Sequence, residues 1–504
     1  MSLRFRTQIV FASVIVLLAA GTAMPGQAAP RNTGISPALC GLGDTPEPGI
    51  QGDVPGGPGT ANYNCGLTLV GQISPGGGAV QGAGQCAYQR SGSQIKVIDV
   101  SDPAAPFVHT SVPLGVVGSE TMRAVVAPDR AVLVSGSHVY DISDCLNPVL
   151  AGEIKWPNVS LPGIPTRLLP HDIRVNRAAT KVYGSFGLWE VDITDLHNPN
   201  NWTITDHRCE LAAQQDGPWS RVHAESLLAG RNLCTDQATP GGFPRFGAGY
   251  VLGASALQAS LFWPQLSHGP SVNADDTRVY VGDQAGGNSA LWAPVPKVRI
   301  IDVTQSPPQI LGEVDGPGHS VEWFRTAKGR EYVLHANEGG SAGIPGQAAG
   351  GDTCQPHPRP FTLGWGFEVF VSDVTGDEGN FDSARNVSML TLAINEPEFC
   401  DVRQASGHDP SVSQHMVDNP LNAKFAAVEF GTAGLRMFDI RDPKVPQEVA
   451  YFNHGSAAGP PRSNALVHSG VSHYDAARGL LYVPGSNAFW VLQIQPQVRA
   501  RLGL

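Results

Sequence analysis

The chain has 504 residues, of which 41% are hydrophobic and 15% are charged, and it contains 59 glycines and 41 prolines. This composition is typical of a turn-rich β protein with a sizeable core, and it argues against a mainly helical fold. The net charge of −11, without any basic run, argues against nucleic acid as a partner.

The first residues have the pattern of a secretory signal peptide. Arg4 and Arg6 form a charged end, an apolar stretch follows from Ile9 to Ala20, and small residues near Ala29 offer a cleavage site. We therefore expect a signal peptide over residues 1–29 and a secreted or periplasmic protein. The apolar stretch is short for a bilayer span, and no other stretch is long and apolar enough, so no membrane span is expected.

The cysteines indicate disulfides rather than metal–thiolate sites. All eight follow the predicted signal peptide, and an even count in an exported chain favours pairing. No Cys-x-x-Cys pair occurs, which argues against c-type haem attachment and thiolate zinc sites. Cys209 with Cys234, and Cys354 with Cys400, are the expected local pairs, because each pair brackets an irregular segment.

A strand-like element that ends in aspartate recurs along the chain, and a degenerate seventh copy spans Phe489–Ile494. The shortest spacing between successive aspartates matches one propeller blade of four short strands, and the longer spacings fit a blade with an inserted loop. The aligned aspartates are Asp99, Asp141, Asp192, Asp302, Asp373 and Asp439.

The seventh copy stops after its third strand, and an orphan strand with a matching pattern lies near the start, at Leu67–Ile73. We therefore predict an all-β, seven-bladed β-propeller over residues 66–496, whose last blade is completed by this N-terminal strand so that no edge stays open. Residues 30–65 form a Gly/Pro-rich arm, and loop insertions are expected near residues 200–265, 339–364 and 376–410.

Polar residues recur where the innermost strand of each blade begins, and in a propeller these positions meet at one mouth of the central channel. Crowded neutral imidazoles are good ligands for copper, iron or zinc. We predict that the histidines of this set hold one transition metal, copper or iron before zinc, with an open position for a small-molecule substrate. The alternative is a polar, metal-free channel, and His473 is an alternate for His468. The set comprises Glu120, His171, His268, His319, His415 and His468.

Three further candidates stand near the end of the second strand, which runs back to the same face. Asp283, His335 and Glu429, together with Glu120, are predicted to act as general acids or bases, or to orient the ligating imidazoles. The alternative role for these side chains is loop solvation or turn capping.

The aspartate element resembles the LVIVD-repeat family of exported β-propellers, over residues 66–496. That resemblance implies the fold, and the family has no single activity. In architecture, the histidine-initiated blades are similar to selenium-binding proteins, which include methanethiol oxidases with a histidine-bound copper. They are also similar to carotenoid-cleaving oxygenases, which hold iron with four histidines on a seven-bladed ring.

The function expected from these observations is that of a secreted, metal-dependent oxidoreductase or oxygenase acting on a small organic substrate. The alternatives are a metal-dependent lyase or hydrolase at the same site and a non-catalytic binding or scaffold propeller.

Overall fold

The structure is a computed structural model, and it describes most of the predicted repeat region. The described residues are 38–53, 62–74, 76–115, 122–156, 170, 172–185, 188–207, 210–211, 214, 225–226, 231–232, 237–238, 267–283, 297–316, 318–336, 369–376, 379–395, 399, 412–454, 472–485 and 488–504. The predicted signal peptide lies outside them.

The described strands form the seven antiparallel blades of a β-propeller, each built from four consecutive strands or completed from the N-terminus. Blade 1 contains β3 (Val80–Ala83), β4 (Cys86–Ser91), β5 (Gln94–Asp99) and β6 (Phe107–Pro113). Blade 2 contains β7 (Met122–Val126), β8 (Ala131–Ser135), β9 (His138–Asp141) and β10 (Val149–Glu153). Blade 3 contains β11 (Ile173–Val175), β12 (Lys181–Gly184), β13 (Trp189–Asp192) and β14 (Thr203–Asp206).

The remaining blades follow the same order from the innermost strand outwards. Blade 4 contains β18 (Ser267–Val272), β19 (Arg278–Asp283), β20 (Lys297–Asp302) and β21 (Gln309–Asp315). Blade 5 contains β22 (Ser320–Arg325), β23 (Glu331–Ala336), β24 (Val369–Asp373) and β25 (Arg385–Leu390). Blade 6 contains β26 (Val412–Val417), β27 (Phe425–Phe430), β28 (Gly434–Asp439) and β29 (Gln447–His454). Blade 7 contains β30 (His473–Asp475), β31 (Leu480–Pro484), β32 (Phe489–Ile494) and β2 (Leu67–Ile73).

A few elements lie outside this scheme. The short strands β15 (Glu225–Ser226), β16 (Arg231–Asn232) and β17 (Gln237–Ala238) form a small sheet between blades 3 and 4 in the chain. Short 3₁₀ helices and a C-terminal helix complete the described elements, and no described helix is long and apolar enough to span a membrane. They are Pro199–Asn201, Ala393–Asn395, Gly431–Ala433 and α1 (Pro496–Leu502).

The core lies between the blades. The buried apolar side chains of the described residues fall into seven clusters, and each cluster joins two neighbouring blades, as Tyr183 of blade 3 joins Val272 of blade 4. Both faces of each sheet are covered, which explains why the second and third strands are nearly continuous apolar runs. The channel at the centre is therefore surrounded by a rigid wall.

The repeated aspartate is a turn-capping residue. In each of six blades its Oδ1 accepts the backbone N–H of the residue two positions later, at 2.8–3.1 Å. An aspartate that bonds its own backbone in this way fixes the turn after a strand. The motif that identifies the repeat thus stabilises the loop between the third and fourth strands.

Ring closure by the N-terminal strand is confirmed. Strand β2 pairs antiparallel with β32, from Leu67 opposite Ile494 to Ile73 opposite Phe489. The structure adds one strand that the sequence analysis did not predict. This strand, β1 (Asn62–Cys65), pairs with β29 and becomes a fifth strand of blade 6. The N-terminal segment therefore covers the outer edges of two blades.

The arm before β1 is anchored by a buried charge cluster. The Arg436 guanidinium is fully buried; it bonds both Glu47 of the arm and Glu448 of β29, and Nε donates to the Ala433 carbonyl at 2.8 Å. Tyr451 packs its ring against the same guanidinium, 4.6 Å away. Each nitrogen of this arginine is paired, which is the condition under which a buried charge is tolerated.

Two disulfides lie within the described residues. Cys40 bonds Cys65, which ties the arm to β1, and Cys86 bonds Cys145, which ties blade 1 to blade 2. The predicted pairs Cys209–Cys234 and Cys354–Cys400 lie outside the described residues.

The extents of two predicted insertions were wrong. The interval 200–265 begins with β14, the outer strand of blade 3, and the interval 376–410 contains β25, the outer strand of blade 5. Outer strands of a blade face solvent on one side, so β14 alternates exposed and half-buried residues and has little apolar content. Loop-like composition therefore concealed both strands.

Candidate functional site

The ladder registers define equivalent positions on the innermost strands. In six blades the repeat aspartate of the third strand pairs with a residue of the second strand, and Gln493 takes the place of the aspartate in blade 7. That second-strand residue pairs in turn with one residue of the innermost strand, which serves as the reference position. Two positions before this reference residue, the seven strands carry the set that we call the channel ring. Its members are Gln81, Arg123, Arg174, Ser271, Glu322, Met416 and His473.

An ion pair crosses this ring. Arg174 of blade 3 donates from Nη1 and Nη2 to the two carboxylate oxygens of Glu322 in blade 5, at 2.7 and 2.5 Å. Blade 4 separates these two strands around the ring, so the contact passes through the channel. Burial opposes ionisation of Glu322, but the charge and hydrogen bonds of Arg174 hold its pKa below the ordinary value. Both side chains therefore stay charged at neutral pH.

His415 is oriented through one ring nitrogen and is open at the other. It is buried, and its Nδ1 lies 3.0 Å from Ser320 Oγ of the neighbouring blade. Its Nε2 is buried and has no hydrogen-bond partner among the described residues. Burial, helped by the nearby His319 and His335 and opposed by Glu322, lowers the pKa of His415 to about 4. The imidazole is therefore neutral, which is the form that binds metals or accepts protons.

His319 lies beside the same end of the channel. Its side chain is buried, and its backbone N–H donates to the Ala336 carbonyl at 2.8 Å, which fixes the start of β22. His319 stands three positions before Glu322, and His268 stands three positions before Ser271 in blade 4. The two histidines share this spacing in the sequence, but a β-bulge between His268 and Ser271 shifts the register of blade 4, so their shared phase stays a prediction. Only the backbone of His268 is described.

The register moves His415 out of the phase that the sequence predicted. The register places His415 one position before Met416, so its counterpart in blade 5 is Val321 rather than His319. The cause is the length of the turn between the first two strands. In blade 6 this turn is closed by the backbone bond from Asp418 to Phe425, and it is two residues longer than the turn from Asn176 to Lys181 in blade 3. In blade 7 the alternate residue, His473, lies in the channel ring itself.

His335 and Glu429 lie on equivalent strands but not at equivalent positions. His335 Nε2 is 2.7 Å from Ser372 Oγ, and its ring stacks on Phe370. Glu429 is buried and accepts a hydrogen bond from Ser472 of blade 7. The first contacts hold His335 within blade 5, and the second joins Glu429 of blade 6 to blade 7. Glu120, His171 and His468 lie outside the described residues, as does the side chain of Asp283.

Within the described part of the chain, only one group brings three metal-type donors within 4.8 Å of one another, namely Cys40, Asp44 and Cys65. Its two cysteines form a disulfide, so it offers no thiolate and is a poor metal site. The described histidines do not assemble three donors at that spacing by themselves. A site of three imidazoles at the channel mouth therefore requires at least one of His171, His268 and His468.

The charged residues of the channel ring were missed by the sequence analysis. Arg123, Arg174 and Glu322 each follow the predicted histidine or glutamate by three positions, on strands that are otherwise apolar. A charged residue in such a strand is a usable signal, because burial without a function or a partner is costly.

No family model and no curated protein matches the chain. Among solved structures, the chain is similar to the β-propeller domain of Cps50 (Swd1) from Myceliophteria thermophila, with 10% identity and a TM-score of 0.47. The match covers 84% of this chain and 99% of that domain. The seven-bladed assignment rests on the strand ladders described above.

Proposed function

We propose that this protein is an exported, metal-dependent oxidoreductase or oxygenase that acts on a small organic substrate at one mouth of the propeller channel. The observation that carries the proposal is the state of His415, whose Nδ1 is held by Ser320 while its buried Nε2 has no hydrogen-bond partner in the described part of the chain. A histidine oriented through one nitrogen and open at the other is the usual arrangement of a metal ligand.

The donor set suits copper or iron, with zinc as the further candidate. His319 and His415 are the described ligands, and His171 and His268 are the ligands that the shared phase predicts. Imidazole donors favour these metals over magnesium or calcium. A bound copper or iron would supply redox chemistry. Ser320 would keep the His415 ring oriented, and the wall formed by Arg174 and Glu322 would limit the access of water.

Export and kinship are part of the same proposal. Two disulfides support an oxidising compartment, in agreement with the signal-like N-terminus. Kinship with LVIVD-repeat propellers is supported by the repeated aspartate strands and their conserved turn geometry within this chain.

The test is elemental analysis of the native protein and of two variants, His319→Ala and His415→Ala. We expect about one copper or iron per chain, which falls by about tenfold or more in each variant because a lost ligand weakens binding strongly. His109→Ala is the matched control, since His109 is exposed on β6, and it should retain the metal.

Each alternative has its own outcome. Zinc at full occupancy would favour a lyase or hydrolase, in which the ion only polarises the substrate. Wild-type metal content in both variants, or a native protein without metal, would contradict the proposal and leave a binding or scaffold propeller.

A further inference from the structure

Arg123 of the channel ring has hydrogen-bond donors that the described residues leave largely without acceptors. Its only hydrogen bond runs from Nη1 to the carbonyl of Met122, at 3.2 Å. Its Nε is buried without a hydrogen-bond partner, and no carboxylate of the described residues lies within ion-pair distance of it. A guanidinium has five donors, so most of its capacity faces the channel unused.

The neighbouring charges are already engaged. Both oxygens of Glu322 accept hydrogen bonds from Arg174, and Asp172 accepts the backbone N–H of Ile173 at 3.0 Å. Burial and the charge of Arg174 lower the pKa of Arg123, while the charges of Asp172 and Glu322 oppose this shift, and a guanidinium remains protonated in proteins. A partly desolvated cation without an acceptor is costly, and an anionic ligand would remove that cost.

We propose that Arg123 anchors a small monocarboxylate in the central channel. The planar fork of a guanidinium matches the two oxygens of a carboxylate, and such bidentate pairs are strong and directional. The carboxylates of Asp172 and Glu322 already act on Arg123 through their charge, although neither is hydrogen-bonded to it. A ligand with a single negative charge would gain the open hydrogen bonds of Arg123, whereas a dianion would be repelled more strongly by these two carboxylates.

The position of Arg123 links the anchor to the histidines. Arg123 shares the channel ring with Glu322 and Met416, and His415 lies one position before Met416, so a carboxylate held by Arg123 would lie at the level of the channel that adjoins this histidine. This inference rests on the proposed function in one respect, since it names the substrate class of the same site. Carboxylate binding itself does not require the metal.

The experiment is calorimetric titration of the full chain at constant ionic strength, before and after treatment with a chelator. The probes are acetate, lactate, sulfate and the neutral analogue acetamide. We expect a monocarboxylate to bind wild-type protein in both preparations, with acetamide and sulfate at least about tenfold weaker.

The variants assign this binding to one side chain. Arg123→Met should weaken carboxylate binding by about tenfold or more, and Arg123→Lys should give an intermediate loss, because it keeps the charge but not the fork. Arg385→Met, an exposed arginine of β25, should bind like wild type.

Two results would overturn the inference: no monocarboxylate binds wild-type protein, or Arg123→Met and Arg123→Lys bind it as wild type does. Binding only before chelation would assign the carboxylate to the metal and would also overturn it. A metal-free native protein that binds acetate through Arg123 would refute the proposed metal enzyme while supporting this site, so the two failures are distinguishable.

Discussion

Two arginines of the propeller, buried to different degrees, have opposite surroundings. Arg436, at the outer part of blade 6, has a partner for every nitrogen, from Glu47, Glu448 and the Ala433 carbonyl. Arg123, in the channel, has one backbone carbonyl. A charge that is fully paired within the chain holds the chain together, whereas a charge left open is available to a ligand. The comparison therefore separates a structural region from a candidate binding region.

The largest effect should come from breaking the structural side of this comparison. Arg436→Met leaves Glu47 and Glu448 buried without their cation, and we expect it to lower the free energy of unfolding by about 3–5 kcal/mol. Arg441→Met is the control, because its side chain is 43% exposed and its pair with Asp439 should contribute about 1 kcal/mol or less. Urea denaturation measures both, and equal stability of the two variants would contradict the role of the cluster.

Acidification should reveal a second structural group, His473. This side chain stacks on Tyr482, and it packs so closely on blade 1 that a Cβ at Gly82 would lie 2.4 Å from its ring. Burial lowers its pKa to about 4, against an unfolded value near 6.5, while Asp475 opposes the shift.

The folded state therefore binds fewer protons than the unfolded state between these two pKa values. Stability from His473 is fully present above pH 6.5 and is lost as the pH falls towards 4, by at most about 3 kcal/mol. His473→Gln should reduce the loss of stability between pH 7 and pH 4.5, and the exposed control His109→Gln should not. An unchanged acid sensitivity of His473→Gln would rule out this assignment.

The smallest effect should come from the binding side. Arg123→Met removes a charge without stranding a partner, so we expect the free energy of unfolding to change by about 1 kcal/mol or less. Urea denaturation in buffer without carboxylates measures it. If Arg123→Met lowered the free energy of unfolding as much as Arg436→Met does, Arg123 would be a structural residue like Arg436.

Much of the fold could be predicted from local patterns. The aspartates recur because each of them caps the same turn, and the strand at Leu67–Ile73 could be assigned because the seventh blade was one strand short. The outer strands β14 and β25 were assigned to loops in the sequence analysis. One side of such a strand faces solvent, so its composition is that of a loop.

The candidate site was less predictable, because it depends on register. Counting along the chain could not show the β-bulge between His268 and Ser271, nor the longer turn before Phe425 that moves His415 out of phase by two residues. The pairing of Arg174 with Glu322 joins residues 148 positions apart, and only closure of the ring brings them into contact. No local pattern of the sequence carries that information.

Strand β2 lies near the start of the chain, but its partner β32 lies near the end, so that Leu67 pairs with Ile494. During synthesis, β2 therefore presents an unpaired edge until nearly all of the chain has emerged. Contacts of such long sequence separation form slowly, and open edges promote wrong pairing and aggregation in the interval. The disulfides Cys40–Cys65 and Cys86–Cys145 flank this strand and can form early, because their partners emerge close together. We therefore expect the last step of folding to be the docking of the two chain ends in blade 7, and chaperones to act on the β2 edge before it.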